Sequence, residues 1–343
     1  MSGRYRIAKV LGSGGFSETY VAEDIQRPGN PYCVVKQLRV ISDDPNTLKL
    51  ARRLFATEAE TLERLGQHDQ IPQLLASFEE NNEFYLVQEF IQGHPLNHEI
   101  LPKRSLPEAK IIQILTDLLE VLAFVHEQGV IHRDLKPANI MRRSRDSRLV
   151  LIDFGIARKI TTQLAESGTE TKYTVSVGTP GYMPSEQSSG RPQFNSDIYA
   201  IGMTAIYALT GKSPHTLIHD AETGAVRWRS QAVVSDEFAA ILDRMVHHDF
   251  TQRYRSVHEV RVALLPLIRS RVAIELPIVS ADDLLATEAN TIAATADQFN
   301  LDDADNPIAA NPIAANSIAA TADRSDTVEA DATIGLPEDW VNQ

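Results

Sequence analysis

The segment VIHRDLKPANIM, from Val130 to Met141, restricts the fold of this chain more than any other stretch. It carries polar or charged side chains between two apolar pairs: His132, Arg133, Asp134, Lys136 and Asn139. A solvated helix or strand face would not be bounded by apolar residues at both ends. We therefore expect a loop at the rim of a buried core, with side chains that converge on a common target. A turn or helix-cap role is the alternative for any single aspartate.

The first part of the chain, from residue 5 to about residue 90, has the pattern of short strands separated by turns. Segments rich in β-branched and aromatic residues alternate with Gly, Pro and Asn. These segments are YRIAKVLG, SETYVAED, YCVVKQL, LLASFEE and EFYLVQEF. Residues 48–65 interrupt them with a helical pattern, in which Leu54, Glu58 and Leu62 share one face. The glutamate is the unexpected member of that face.

The second part of the chain, from about residue 96, has mainly helical periodicity. An amphipathic stripe runs through Ile111, Leu115, Leu118, Leu122 and Val125, and Gly129 follows as the helix stop. RLVLIDFG predicts a buried strand, and residues 194–210 and 236–270 predict helix again. Strands in front and helices behind predict an α+β fold with two lobes and a cleft between them.

The net charge of −13 lies almost entirely at the end of the chain. Residues 281–343 carry 13 acids and one base, and residues 306–320 repeat a five-residue unit as NPIAANPIAANSIAA. We therefore expect residues 275–343 to form a low-complexity, disordered acidic tail. The near-neutral remainder argues against a nucleic-acid partner.

Targeting and redox signals are few. The single cysteine, Cys33, cannot form a disulfide within the chain, and MSGRYRIAKV has no signal-peptide pattern. The longest apolar run, DIYAIGMTAIYALTG, is too short to span a membrane. These features predict a cytoplasmic protein without a membrane span.

Two motifs near the start indicate an anionic ligand. LGSGGFSET, from Leu11 to Thr19, joins two strand segments with glycines that let the backbone approach phosphate oxygens. A plain hairpin turn is the alternative, and the strand that follows argues against a dinucleotide-binding fold. In CVVKQL, Lys36 lies on the apolar side of its strand and needs an anionic partner, for which Glu58 is the candidate. An edge lysine that reaches solvent is the alternative.

Oxygen ligands for a hard cation follow later in the chain. Asp134, Asn139 and Asp153, the last at the end of an apolar strand, offer the carboxylate and amide oxygens that Mg²⁺ prefers. Asp134 could instead accept a proton from a hydroxyl group.

In this order, the motifs resemble those of the eukaryotic-like protein kinases, and specifically of the bacterial serine/threonine branch. Pro184-Ser185-Glu186 stands where the family has Ala-Pro-Glu, Asp197 stands at the family's buried helix aspartate, and Arg253 stands at the arginine that pairs with Glu186. The resemblance covers about residues 5–270. It implies an N-lobe at about 5–90 and a C-lobe at about 91–270.

The resemblance implies transfer of the ATP γ-phosphate to Ser/Thr hydroxyls of protein substrates, with Mg²⁺, or Mn²⁺ in its place. Asp134 would be the base, Lys136 would contact the moving phosphate, Lys36 and Glu58 would hold the other phosphates, and Asn139 and Asp153 would bind the metal. The implied ATP-binding residues are Leu11, Gly12, Ser13, Gly14, Gly15, Phe16, Ser17, Glu18, Thr19, Val34, Lys36, Glu89, Ile91 and Met141.

The resemblance also implies regulation by phosphorylation. Arg133 would receive a phosphate from the segment between Asp153 and Glu186, and the candidate acceptors are Thr169, Thr171 and Thr174. Thr179 would bridge Asp134 and Lys136.

The sequence departs from the family at a few positions without losing a catalytic group. Ser17 replaces the third loop glycine, Val34 replaces an alanine, and Pro184-Ser185 replaces Ala-Pro. Two alternatives remain: a nucleotide-binding scaffold without turnover, and a kinase of small molecules. The complete set of catalytic groups argues against the first. The segment from Thr179 to Glu186 and Arg253 argue against the second. The sequence leaves open the physiological substrate, the activating signal and the oligomeric state.

Overall fold

The computed structural model describes residues 1, 3–13, 17–40, 44–155 and 179–275, the last six of them by their backbone only. All belong to one unit, Met1–Pro277. A five-stranded antiparallel sheet in the order β1-β2-β3-β5-β4 opens the chain. Its strands are β1 (Tyr5–Ser13), β2 (Ser17–Asp24), β3 (Tyr32–Arg39), β4 (Leu74–Glu80) and β5 (Glu83–Glu89).

One long helix, α1 (Pro45–Leu65), covers one face of this sheet. It begins at a proline, and the Asp44 carboxylate accepts a hydrogen bond from the backbone N–H of Thr47 at 2.8 Å, which caps the first turn. Its buried face packs against the sheet, and the rings of Phe55 and Phe84 lie 5.0 Å apart. The strand and helix segments predicted for this lobe are therefore confirmed.

The other face of the sheet closes over itself. Tyr5 on β1 stacks on Phe78 on β4 at 5.9 Å, although these two strands form opposite edges of the sheet. The sheet is therefore strongly curled around a second apolar cluster. Cys33 lies in this cluster with 1% of its surface exposed, and its Sγ contacts the carbonyl oxygen of Ala22 at 3.4 Å. Burial, together with the charge of Asp24, raises the pKa of this thiol to about 11.

The second lobe is helical. Its helices are α2 (Glu108–Glu127), α3 (Ser185–Ser188), α4 (Phe194–Thr210), α5 (Asp236–Met245) and α6 (Val257–Glu275). The predicted stripe of α2 is buried, and Gly129 follows the helix with a φ of 72°, a left-handed conformation that suits glycine. Helix α4 is buried from Asn195 to Thr210, because α2 and α5 pack against it. It forms the central support of this lobe.

Two features of this lobe differ from the sequence prediction. Residues 236–270 form two helices rather than one, with a 3₁₀ turn, Phe250–Gln252, between them. The break exists because buried Arg253 binds the carbonyl oxygens of His247 and His248, which a continuous helix would use itself. The hairpin of β9 (Ile218–His219) and β10 (Val226–Arg227) was also not predicted, since strands of two residues have no detectable period.

A small sheet connects the lobes to the site. It has the order β6-β7-β8, formed by Gly93–Pro95, Ile140–Arg143 and Leu149–Leu151. Gly93 allows β6 to approach β7 closely, because a Cβ at this position would overlap the carbonyl oxygen of Arg142. β7 and β8 form a hairpin whose open end leads to the predicted catalytic residues.

The loop between α1 and β4 is fixed on the second lobe. Gln70 is fully buried, and its Nε2 donates to the Asp117 carboxylate at 2.8 Å and to the Leu149 carbonyl at 2.7 Å. Beside it, Nδ1 of His68 accepts the N–H of Gln70 at 3.1 Å, and the His68 ring packs on Phe124 at 4.8 Å. This junction holds one end of α1 in place.

The predicted α+β, two-lobed fold is confirmed by this arrangement. Within the described ranges, no helix is long and apolar enough to cross a membrane. The predicted tail lies outside the described residues.

Candidate active site

The predicted catalytic loop follows α2 and is held from below by Asp197 of α4. Asp197 is 1% exposed, and its two carboxylate oxygens accept the backbone N–H groups of His132 at 2.8 Å and Arg133 at 3.0 Å. Nε2 of His126 lies 3.0 Å from the same carboxylate. Arg133 adopts a φ of 67°, which is unfavourable for a residue with a side chain. The two anchored amides keep the loop in this strained form.

His132 links the loop to the segment that ends in Asp153. Its ring is fully buried and lies 4.5 Å from the ring of Phe154. Burial lowers the pKa of His132, although three nearby aspartates act in the opposite direction, so the ring is neutral at neutral pH. A neutral ring can donate from Nε2 to the Ile152 carbonyl, at 3.1 Å, and accept the Asp134 N–H at Nδ1, at 3.4 Å.

The carboxylate of Asp134 is surrounded by three donors. Nζ of Lys136 lies 3.3 Å from Oδ2, Nδ2 of Asn139 donates to Oδ2 at 2.9 Å, and the Thr179 hydroxyl donates to Oδ1 at 3.2 Å. Lys136 also donates to the Thr179 hydroxyl at 3.0 Å, so Thr179 bridges the two residues. The side chain of Asp134 keeps 12% of its surface exposed. The carboxylate is thus fixed in direction and still accessible.

The β7–β8 hairpin brings Asn139 and Asp153 together. The antiparallel pair Ile140–Leu151 closes the hairpin, and the Ile152 N–H donates to the Asn139 carbonyl at 3.0 Å. The amide NH₂ of Asn139 binds Asp134 through two hydrogen bonds, which directs the amide oxygen away from Asp134. Asp153, with a φ of 60°, exposes 40% of its side chain.

This donor set fits a hard divalent cation. One amide oxygen and one carboxylate, side by side on a rigid hairpin, match the oxygen ligands of Mg²⁺. In the described part of the chain there is no group of three His, Cys, Asp or Glu residues that could bind a metal. A pair completed by phosphate oxygens and water is the arrangement that remains.

Lys36 reaches this pair from the first lobe. On β3 it lies between Thr19 of β2 and Leu86 of β5, and its ammonium forms an ion pair with Asp153. Partial burial raises the pKa of Asp153, but the charge and hydrogen bond of Lys36 outweigh it and hold that pKa below its usual value. Glu58 is 6% exposed on the buried face of α1. The predicted contact between Lys36 and Glu58 stays a prediction.

The predicted nucleotide residues border one side of the cleft. Met141, on β7, pairs with Pro95 of β6, directly after the connection between the lobes that contains Glu89 and Ile91. Val34 pairs with Val21 and Gln88. Leu11, Gly12, Ser13, Ser17, Glu18 and Thr19 lie on β1 and β2. Gly14, Gly15 and Phe16 lie outside the described residues.

A buried ion pair supports the opposite side of the loop. The Arg253 guanidinium donates to both carboxylate oxygens of Glu186, at 2.6 and 3.1 Å, and stacks over Tyr199 at 4.9 Å. The Ser196 hydroxyl donates to the same carboxylate at 2.7 Å. Burial raises the pKa of Glu186, but Arg253 and Ser196 together hold it below its usual value. The predicted pairing of Glu186 with Arg253 is confirmed, and it anchors α3.

The family is decided by comparison with known proteins. The model of the protein kinase domain matches residues 5–262. The chain belongs to the protein kinase family. Serine/threonine-protein kinase B of Synechocystis is 43% identical over 267 residues, which are 77% of this chain and 46% of that protein. Serine/threonine-protein kinase PknA of Nostoc is 44% identical over 266 residues, 77% of this chain and 47% of that protein.

These relatives identify a eukaryotic-like kinase of the bacterial serine/threonine type, as predicted. The chain spans about half the length of the curated relatives it matches. Among solved structures, the apo form of PpkA-294 matches with a TM-score of 0.58 and 25% identity, over 76% of this chain and 96% of that one. The PknI kinase domain of Mycobacterium tuberculosis matches with a TM-score of 0.57 and 24% identity, over 76% and 94%, and supports the kinase fold alone.

Three buried or half-buried glutamines near the kinase cleft were not found from the sequence. Gln88 is 4% exposed beside Val34, Gln70 fixes the loop after α1, and Gln187 donates to the Arg133 carbonyl at 2.7 Å. None of them belongs to a charged motif, and their partners are distant in sequence. Only for Gln187 was there a signal, because it directly follows the predicted anchor Glu186. Thr169, Thr171 and Thr174 lie outside the described residues, and the predicted Arg133 lies in the loop described above.

Proposed function

We propose that this chain is a protein serine/threonine kinase that transfers the γ-phosphoryl group of ATP to hydroxyl groups of protein substrates. The observation that carries the proposal is the environment of Asp134. Its carboxylate is accessible and is oriented by Lys136, Asn139 and Thr179. A carboxylate held in this way can orient a substrate hydroxyl and accept its proton.

The positive charges fit the reaction. Lys36 would bind the α- and β-phosphates, with Glu58 as its support, and Lys136 would contact the transferring phosphoryl group. Lys36 is only 17% exposed, and Lys136 only 23%. Partial burial of both cations strengthens their attraction to phosphate.

Asn139 and Asp153 would hold the divalent cation, Mg²⁺ or Mn²⁺ in its place. When bound, such an ion neutralises negative charge on the phosphates. Asp153 is already held ionised by Lys36, which prepares it for a cation. Asn139 links the two functions, since its NH₂ group orients Asp134 while its oxygen is directed elsewhere.

The adenine would lie between the lobes. Val34 and Thr19 would cover it, Met141 would support it from below, and the backbone of Glu89 and Ile91 would meet its polar edge. The loop from Leu11 to Glu18 would cover the phosphates. Buried apolar side chains at Met141 and Ile91, each 6% exposed, support a ring-binding slot here.

Regulation by autophosphorylation is part of the proposal. The acceptors would be Thr169, Thr171 and Thr174, and Arg133 would bind the new phosphate. Within the described ranges, no acid forms an ion pair with the Arg133 guanidinium. Mass spectrometry after incubation with Mg-ATP should find phosphate between residues 161 and 179. An unmodified segment in an active enzyme would exclude this regulation.

The proposed catalytic domain covers residues 5–270, and the reaction would take place in the cytoplasm, where ATP is available. Protein substrates are the proposed partners. The tail from residue 275 to residue 343 is proposed as a spacer without catalytic groups.

Replacement of Asp134 by Asn tests the function directly. The wild-type chain should transfer ³²P from Mg-ATP to a generic protein substrate such as casein, and Asp134→Asn should nearly abolish transfer, because the base is lost. Nucleotide binding should persist in both. A wild-type chain that binds ATP without transfer would indicate a scaffold, and phosphorylation of small alcohols but not proteins would indicate a small-molecule kinase.

A further inference from the structure

The peptide unit between Arg133 and Asp134 is held at both ends. Its N–H, from Asp134, is directed at Nδ1 of His132 at 3.4 Å. Its carbonyl oxygen, from Arg133, accepts a hydrogen bond from Nε2 of Gln187 at 2.7 Å. This peptide unit determines the direction in which the Asp134 side chain leaves the backbone. Its orientation therefore affects the position of the proposed base.

Arg133 cannot keep this orientation by itself. Its φ of 67° is unfavourable for a residue with a Cβ, so the backbone would relax if it were free. Asp197 holds the preceding amide, through the Arg133 N–H at 3.0 Å. On the carbonyl side, the described donor is Gln187.

Gln187 is well placed for this purpose because α3 is rigidly anchored. The preceding residue, Glu186, is fixed by the buried Arg253 pair and by Ser196. The gap between Gln187, Asp197 and the loop measures about 10 Å³, which is at the limit for one water molecule. Water therefore cannot easily replace the amide as the donor while a side chain of similar size remains.

We propose that Gln187 is a positioning residue for phosphoryl transfer: it orients the base Asp134 through the Arg133 carbonyl and so couples α3 to the catalytic loop. This inference rests on the proposed kinase function. Gln187 has no part in nucleotide binding, since the loop of β1 and β2, Lys36 and the connection between the lobes are formed by other elements. Its loss should reduce kcat and leave the KM for ATP unchanged.

The test uses the full chain with Mg-ATP and casein. Gln187→Leu keeps the volume and removes the donor, and kcat should fall about tenfold at a KM for ATP within about twofold of the wild type. Gln231→Leu is the matched control, because Nε2 of Gln231 also donates to an arginine carbonyl, that of Arg227 at 2.7 Å, in the β10 region. It should leave both constants unchanged, and both variants should have similar melting temperatures.

A double variant separates positioning from general damage. If Gln187 acts through Asp134, Asp134→Asn/Gln187→Leu should have the same residual rate as Asp134→Asn. A kcat of Gln187→Leu within twofold of an active wild type would overturn the inference, and so would an equal loss in both backgrounds. A wild-type chain without any transfer would overturn the proposed function and, with it, this role.

Discussion

At the scale of single residues, the site works through shared partners. Thr179 binds both Lys136 and Asp134, Asn139 binds the Asp134 carboxylate and its backbone oxygen, and Lys36 binds Asp153. No single contact defines the direction of Asp134. A base that is held by several bonds needs little reorganisation when a substrate hydroxyl arrives.

Thr179→Val should lower kcat about tenfold while the KM for ATP stays near the wild-type value. Valine keeps the shape of the side chain but removes the hydroxyl that orients Asp134 and Lys136. Steady-state phosphorylation of casein measures both constants. Thr179→Ser keeps the hydroxyl and should stay close to the wild type, so equal losses in the two variants would contradict this role.

The residue scale also shows what sequence could predict. Asp134, Asn139, Asp153 and Thr179 were found because they belong to motifs of fixed spacing. Gln70 was not, since its partners Asp117 and Leu149 lie 47 and 79 residues away in the chain. A neutral side chain whose role depends on long-range packing leaves no local pattern.

At the scale of elements, short structures depend on buried side chains for their position. Helix α3 has only four residues and would not be stable alone. It is fixed because the side chains of Glu186 and Arg253 are 6% and 0% exposed and fully hydrogen-bonded to each other and to Ser196 and backbone carbonyls. The sequence indicated this pair by family position. The helix break that it causes was not indicated.

Arg253→Met should lower the free energy of unfolding by about 3–5 kcal/mol, because it leaves the Glu186 carboxylate buried without its cation. Urea unfolding followed by circular dichroism gives this value. Arg229→Met is the control, since Arg229 pairs with Asp243 at 2.7 Å but is 48% exposed, and it should cost less than about 1 kcal/mol. Similar losses in both variants would show that burial of the pair has no special weight.

At the scale of the whole molecule, the two lobes meet at more than the connection after β5. The junction of His68 and Gln70 fixes the base of α1 on the helical lobe. Its order depends on a neutral His68, because Nδ1 must accept the Gln70 N–H. Burial and the charge of Arg148 lower the pKa of His68, while Glu120 and Asp69 oppose them.

The lowered pKa of His68 predicts a loss of stability in mild acid. The unfolded chain, with a histidine pKa near 6.5, binds this proton more readily than the folded protein. The contribution is therefore complete above about pH 6.5 and decreases as the pH falls toward the lowered pKa. The melting temperature of the wild type should drop more between pH 7.5 and 5.5 than that of His68→Phe. His258→Phe, at an exposed helix position, should keep the wild-type dependence.

The order of strands and helices was predictable for the whole described chain because each element has its own period. The curl of the first sheet was not, since it brings Tyr5 and Phe78 together from opposite edges. The β9–β10 hairpin was missed because its strands are too short for a pattern.

The position of the sole thiol makes this chain convenient for spectroscopy. Cys33 is sealed inside the curled sheet and keeps its proton at neutral pH, so maleimide reagents should not modify the folded protein. A new cysteine on each lobe could then carry a donor and an acceptor dye on the native background. Energy transfer between the dyes would follow opening and closing of the cleft when nucleotide is added.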